Sequence, residues 1–194
     1  MKVLCLNTSF EDLTVCLIDE NEIIEKYSEN CNKRQSEYIV LTIQKLLEQA
    51  KWNINELEGV VVTVGPGSFT GIRIAITVAK IIATLVDVKL YTLSTLQLYA
   101  GIKDCVVIKD AKANRVYYGK YSSGSAVISD KVINLDDLII SDDESVIGDS
   151  FIVNKTLNES NLVQNFVELR NHWLLVDDVD SLAPVYLKDE SAYK

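Results

Sequence analysis

With 194 residues, 48% of them hydrophobic and only two prolines, the chain can bury one sizeable core or two small lobes that share one, which excludes a disordered protein. Its net charge of −9 is lopsided: residues 1–129 balance 14 acidic against 14 basic side chains, whereas residues 130–194 hold 14 and 5, in runs such as "DDL", "SDDES" and "DDVD". The sequence has no basic stripe to grip a phosphate backbone, so tight, direct nucleic-acid binding by this chain alone is disfavoured, and the acidic end reads as solvated surface in preference to an acidic docking patch.

The N-terminal "MKVLCLNTS" carries a strand's length of apolar residues before Asn7, too short for a signal peptide, and the greasiest window further on is interrupted by Arg73 and Lys80. Neither secretion nor membrane spanning is expected; a cytoplasmic protein is. Cys5, Cys16, Cys31 and Cys105 are widely spaced and form no CxxC, the pattern of reduced core residues and not of zinc ligands or a disulfide frame.

In chain order, "KVLCLN", a polar turn "TSFEDL" and "TVCLID" read as strand, turn, strand, with a third short strand in "EIIEKYS". "RQSEYIVLTIQKLLEQA" sets Ile39, Ile43, Leu46, Leu47 and Ala50 on one helical stripe, and leaves Tyr38 and Leu41, with Lys45, as a second face that one sheet cannot cover. "GVVVTV" reads as a fully buried strand that runs into "GPGSFTG". Gly65, Pro66 and Gly67 suit a tight strand-to-helix turn, with Ser68 or Thr70 capping the helix beyond. The same turn could gather N–H groups for a phosphate. Yet Gly71 is followed by Ile72 and Arg73 in place of the Walker lysine, and the glycine spacing is G-x-G-x-x-x-G, wrong for a dinucleotide loop. Local physics favours a structural turn.

From Gly71 to Val86 the polar side chains are Arg73, Thr77, Lys80 and Thr84, spaced four, three and four, so they share one narrow stripe. A helix apolar over the rest of its circumference is buried on more than one side, either by a protein partner or as a central helix wedged between two lobes. The opening pattern then recurs: "CVVIKD", the turn "AKANR" and "VYYGKY", with a further apolar stretch at "AVIS". Two related α/β lobes in tandem follow, divided into residues 1–101 and a shorter acidic lobe of residues 102–194.

"GPGSFTGIRI" closely resembles the signature of the bacterial TsaB family, also called YeaZ. "LCLNTS" resembles its "LAIDTS", "RQSEYIVLTIQKLL" its "HSERLLPLIDELL", "IKDAKANRVYYGKY" its "IDARRGEVYWGLY", and "APVYLK" its "P-x-YLR". The resemblance implies an α/β fold of the actin, Hsp70 and sugar-kinase type (ASKHA), two related RNase-H-like lobes in tandem. It implies a non-catalytic adaptor, needed for transfer of the threonylcarbamoyl group to adenosine in tRNA, that dimerises with the catalytic paralogue TsaD through helices of the first lobe. ATP and metal are then expected on that partner, with no cofactor here, a TsaE-like ATPase in a larger complex, tRNA met only through the complex, and a homodimer when the chain is alone. Tyr38, Leu41, Lys45, Arg73, Ile76, Thr77 and Lys80 are the candidate partner-binding residues.

Three departures stand out: Asn7 where the family usually has aspartate, Gln35 where it often has histidine, and Asn114 for a turn glycine. The first removes a carboxylate that ATPases of this fold use near magnesium. A single histidine, His172 beside Trp173, and the absence of a G-x-S-x-G elbow leave little for hydrolase chemistry. Asp110 at a strand end is a candidate site carboxylate or a turn former, and Tyr186 after Pro184 a packing anchor. An ATP-dependent kinase or hydrolase of the same fold, with its own nucleotide site, is the alternative function.

Overall fold

The computed structural model describes residues 1–156 and 158–187, so Lys188 of "APVYLK" and the end of the second predicted lobe lie outside the described residues. Strands β1 (Lys2–Asn7), β2 (Asp12–Asp19) and β3 (Glu22–Asn30) form an antiparallel meander. Helix α1 (Gln35–Ala50) crosses over to β4 (Gly59–Thr63), parallel to β1, and α2 (Phe69–Val86) crosses to β5 (Lys89–Leu93), parallel to β4. Every residue of β4 is buried, as expected of a central strand covered on both faces, whereas β3 alternates exposed and half-buried residues at the sheet edge.

The pattern repeats after the short helix α3 (Thr95–Ala100). Strands β6 (Cys105–Asp110), β7 (Arg115–Ser122) and β8 (Ser125–Asn134) are antiparallel, and β9 (Val146–Gly148) lies parallel to β6. Where the first lobe has α1, the second has only a loop with a one-turn helix at Leu135–Asp137, which makes it the shorter lobe. Helix α4 (Leu162–Glu168) follows, and the chain then returns to the first sheet as β10 (Leu174–Leu175), antiparallel to β5. The strand orders are β10-β5-β4-β1-β2-β3 and β8-β7-β6-β9, so in both lobes a meander is flanked, beside its first strand, by a parallel fourth. This is the tandem ASKHA architecture expected from the sequence.

Two main cores result. Leu4, Leu6, Leu13, Val60 and Val62 face α1 and α2, while Val3, Cys5, Cys16, Ile18 and Val61 on the opposite face of the same sheet meet α3, α4 and the second sheet. All four cysteines are buried and free. Because α2 lies on the outer side of the first sheet, away from the second lobe, it is not wedged between lobes, and that alternative is overturned. The expectation that no segment could span a membrane also needs correction. By length and composition α2 is apolar enough, despite Arg73 and Lys80, while its Ala75, Ile76 and Ala79 side is buried in the sheet core.

The division at residues 101/102 is corrected at the far end of the chain. After β10, Val176 N–H donates to Leu90 O (2.9 Å) and Val185 N–H to Val64 O (2.7 Å), and Val176, Val179 and Leu182 pack on the core under α1 and α2. Residues 174–187 are therefore a strap of the first lobe.

Candidate functional site

The glycine loop is a seat for other parts of the chain. Gly65 has φ +116°, and a Cβ there would stand 2.6 Å from Val185 O; Cβ atoms at Gly67 and Gly71 would stand 2.4 Å from Ser9 O and 2.1 Å from Thr8 O. Ser68, not Thr70, caps α2: its Oγ accepts from Gly71 N–H (3.2 Å). Ser68 N–H donates to Ser9 O (2.7 Å), Thr95 N–H to Gly65 O (2.8 Å), the Thr8 hydroxyl to Gly71 O (2.6 Å) and the Tyr117 hydroxyl to Gly67 O (3.3 Å). The Ser68 and Gly71 N–H groups are thus spent inside the fold, Gly65, Gly67 and Gly71 turn their carbonyls to Thr95, Tyr117 and Thr8, and Pro66 is buried among them, contacts that belong to a structural turn.

The cleft between the lobes is filled from within. Asn7 Oδ1 accepts from Thr63 Oγ1 (2.8 Å) and Ser9 N–H (3.2 Å), and Ser9 Oγ accepts from Thr95 Oγ1 (2.9 Å), all buried. Phe10 stands edge-on to Tyr99 at 5.7 Å, with Lys109 Nζ 4.8 Å from its ring centre and paired to Asp149 at 2.8 Å. Burial raises the Tyr99 hydroxyl above its ordinary pKa, and burial raises the Asp12 carboxyl against the pull of Lys109. Gln35 Nε2 donates to Phe10 O (2.9 Å) and Glu11 O (3.2 Å), so the residue that replaces the family's histidine pins this turn to α1. Asp110 serves its own turn, accepting from Lys112 N–H at 2.7 Å and pairing with Lys112 Nζ. Asn114 adopts left-handed backbone (φ 56°), as a residue standing in for glycine there must. Among the described residues no group of three or more His, Cys, Asp or Glu could hold a metal.

Of the candidate partner-binding residues, the structure brings Tyr38, Leu41 and Lys45 on α1 and Arg73 and Thr77 on α2 to the outer surface, with Leu41 61% exposed and Tyr38 half-buried under the Arg34 guanidinium. Two are corrected. Ile76 is 4% exposed and belongs to the sheet core. Lys80 is half-buried and its ammonium donates to Asp180 O (2.8 Å) and Leu182 O (3.3 Å), which fastens the strap to α2. The sequence reading missed Val40, Phe69, Ile81 and Leu85, all at least 49% exposed. Ile74, Val78, Ile81 and Leu85 repeat the four, three, four spacing one position after the polar stripe, a signal that was present but could not be told from the buried stripes of the same helix. Between α1 and α2 lies an open groove of about 370 Å³, with Ile39 and Ile74 among the apolar residues of its lining and Arg73 at its edge. Tyr186 of the strap stacks on Phe69 at the same end (5.1 Å, 22° between planes).

Residues 22–166 match the family described as TsaD, tRNA N6-adenosine threonylcarbamoyltransferase. The tRNA threonylcarbamoyladenosine biosynthesis protein TsaB of Buchnera aphidicola (subsp. Acyrthosiphon pisum) is 29% identical over 93% of this chain and 76% of its own length. The TsaB of Bacillus subtilis is 30% identical over 68% of this chain, and the match spans only 60% of that protein. YeaZ from Pseudomonas aeruginosa shares the fold, with a TM-score of 0.76 over 96% of this chain and 99% of its own, at 20% identity. The chain belongs to this family on its TsaB (YeaZ) branch, whose named members are biosynthesis proteins for threonylcarbamoyladenosine in tRNA.

Proposed function

We infer that the chain is a non-catalytic adaptor that docks α1 and α2 against a TsaD-related catalytic paralogue and is required for transfer of the threonylcarbamoyl group to adenosine in tRNA. The observation that carries this reading is the water-facing apolar surface of those two neighbouring helices, with Leu41 61%, Val40 60%, Ile81 53% and Leu85 79% exposed. Apolar surface left in water costs about 25 cal/mol per Å² relative to burial, and two helices from each protein cover it best as a four-helix packing. In this reading ATP and metal reside on the partner, a TsaE-like ATPase joins a larger assembly, and tRNA is met only through the complex. Alone, two copies pair through the same face, and the protein works in the cytoplasm. The filled cleft and the carboxamide of Asn7 support the adaptor over a kinase or hydrolase with its own nucleotide site.

The test is co-purification with the TsaD-like protein of the same cell, followed by a tRNA modification assay with each component omitted. A Leu41→Glu variant should fold normally, bind the partner at least tenfold more weakly and sediment as a monomer. Unchanged partner affinity and unchanged self-association in well-folded Leu41→Glu would remove this face from the interface.

A further inference from the structure

At one end of the α1–α2 groove two side chains one turn apart on α2 and one from the distant strap form a column. Phe69, the first residue of α2, has the Arg73 guanidinium 5.2 Å from its ring centre and the Tyr186 ring stacked on it at 5.1 Å. Both rings stay roughly half exposed, at 49% and 43%. Tyr186 is held there by the residue before it, since Val185 N–H donates to Val64 O and Val185 O rests where Gly65 has no Cβ. The missing side chain of Gly65 thus has a use beyond turn geometry: it seats the strap so that an aromatic ring reaches the groove. Half-exposed aromatic rings stacked with an arginine are the chemistry of binding hot spots.

The charges around the groove say what the column meets. Among the described residues Arg73 pairs with no carboxylate, and neither does Lys45, in a chain whose net charge is −9. The groove lining carries Arg73 and no acid. A second copy that laid its own groove here would bring two guanidinium groups together without a counter-charge, at a cost in like-charge repulsion and desolvation.

We propose that Arg73, Phe69 and Tyr186 are the specificity determinants of this surface, and that they select a partner helix presenting an apolar side chain to the groove and a carboxylate to Arg73, in preference to a second copy of the chain. This rests on the adaptor reading, with the TsaD-related paralogue as that partner. The carboxylate completes a charge-assisted contact over an aromatic platform, and the strap thereby becomes part of the interface.

The experiment compares affinity for the TsaD-like protein and self-association for wild type, Arg73→Gln, Tyr186→Ala, Tyr186→Phe, Leu41→Glu and the chain ended after Leu187, each checked for an unchanged melting temperature. Arg73→Gln and Tyr186→Ala should weaken partner binding about tenfold, while self-association stays within twofold for Tyr186→Ala and tightens for Arg73→Gln, which relieves the like-charge contact; Tyr186→Phe should restore the affinity because it keeps the stack. Arg73→Gln should also flatten the salt dependence of partner binding. If Leu41→Glu weakens partner binding and Arg73→Gln does not, the inference is wrong and the adaptor reading survives. If neither matters, the adaptor reading fails first. Equal losses in self-association and partner binding would overturn the proposed selectivity, as would an Arg73 effect that vanishes in the shortened chain, which would make the chain's own acidic end the occupant.

Discussion

Gly67 lies so close to the carbonyl of Ser9 that even a methyl group must displace backbone. The tight turn expected from the sequence takes positive φ at Gly65, whereas at Gly67 the constraint is contact with a neighbouring turn, which no local pattern reveals. Gly67→Ala should therefore cost on the order of 1–3 kcal/mol by overpacking, lowering the melting temperature by several degrees and partner affinity with it. Selective loss of phosphate affinity in a fully stable variant would instead mark a ligand loop. A second residue-scale outcome concerns Asp130, which accepts hydrogen bonds from Ser94 and Tyr121 and so ties the second sheet to the start of α3. Burial raises its carboxyl above the ordinary value, against the opposing pull of those two hydroxyls. The folded chain then keeps this proton where the unfolded chain, with its group near 3.8, has released it. Its contribution to stability grows as pH falls through the raised value and levels off below the unfolded one. In a pH series of thermal melts, wild type should gain on Asp130→Asn from neutrality toward pH 4; a constant gap would show an unshifted carboxyl.

Among the elements, α2 shows most plainly what was legible. The sequence specified its start, its end and its shortage of polar residues, because capping and composition are local properties. Which apolar stripe the sheet takes is set by the angle at which α2 lies on β4, and that angle is tertiary. Hence Ile76 was placed outside and Ile81 passed over. The two now make a paired prediction. Ile76→Ala should cost about 2–5 kcal/mol as a core cavity, measured by denaturant unfolding, and Ile81→Ala less than about 0.5 kcal/mol, with the loss in partner affinity falling on Ile81→Ala alone. The same limit explains the missed strand β10: two residues have no period to read, and Leu174 and Leu175 become a strand only because β5 offers a free edge.

For the whole molecule, the tandem repeat and the cysteine-lined inner core were readable because each lobe opens with the same strand, turn, strand rhythm. The return of the C-terminus was not, since residues 174–187 carry mixed acidic and apolar side chains whose partners are distant in sequence. With Phe10, Lys109 and Tyr99 filling the space between the lobes, the isolated chain should show no ATP turnover above background in a phosphate-release assay. Turnover that disappears in Asp110→Ala would contradict the adaptor role. The strap also fixes an order of events during synthesis. The second lobe is enclosed between two pieces of the first, so a nascent chain can assemble its opening meander early but keeps the edge of β5 and the underside of α2 bare until residues 174–187 leave the ribosome. Premature termination anywhere after the second lobe would release a protein nearly complete in length yet with an open strand edge, and so a candidate for aggregation or proteolysis before it can meet a partner.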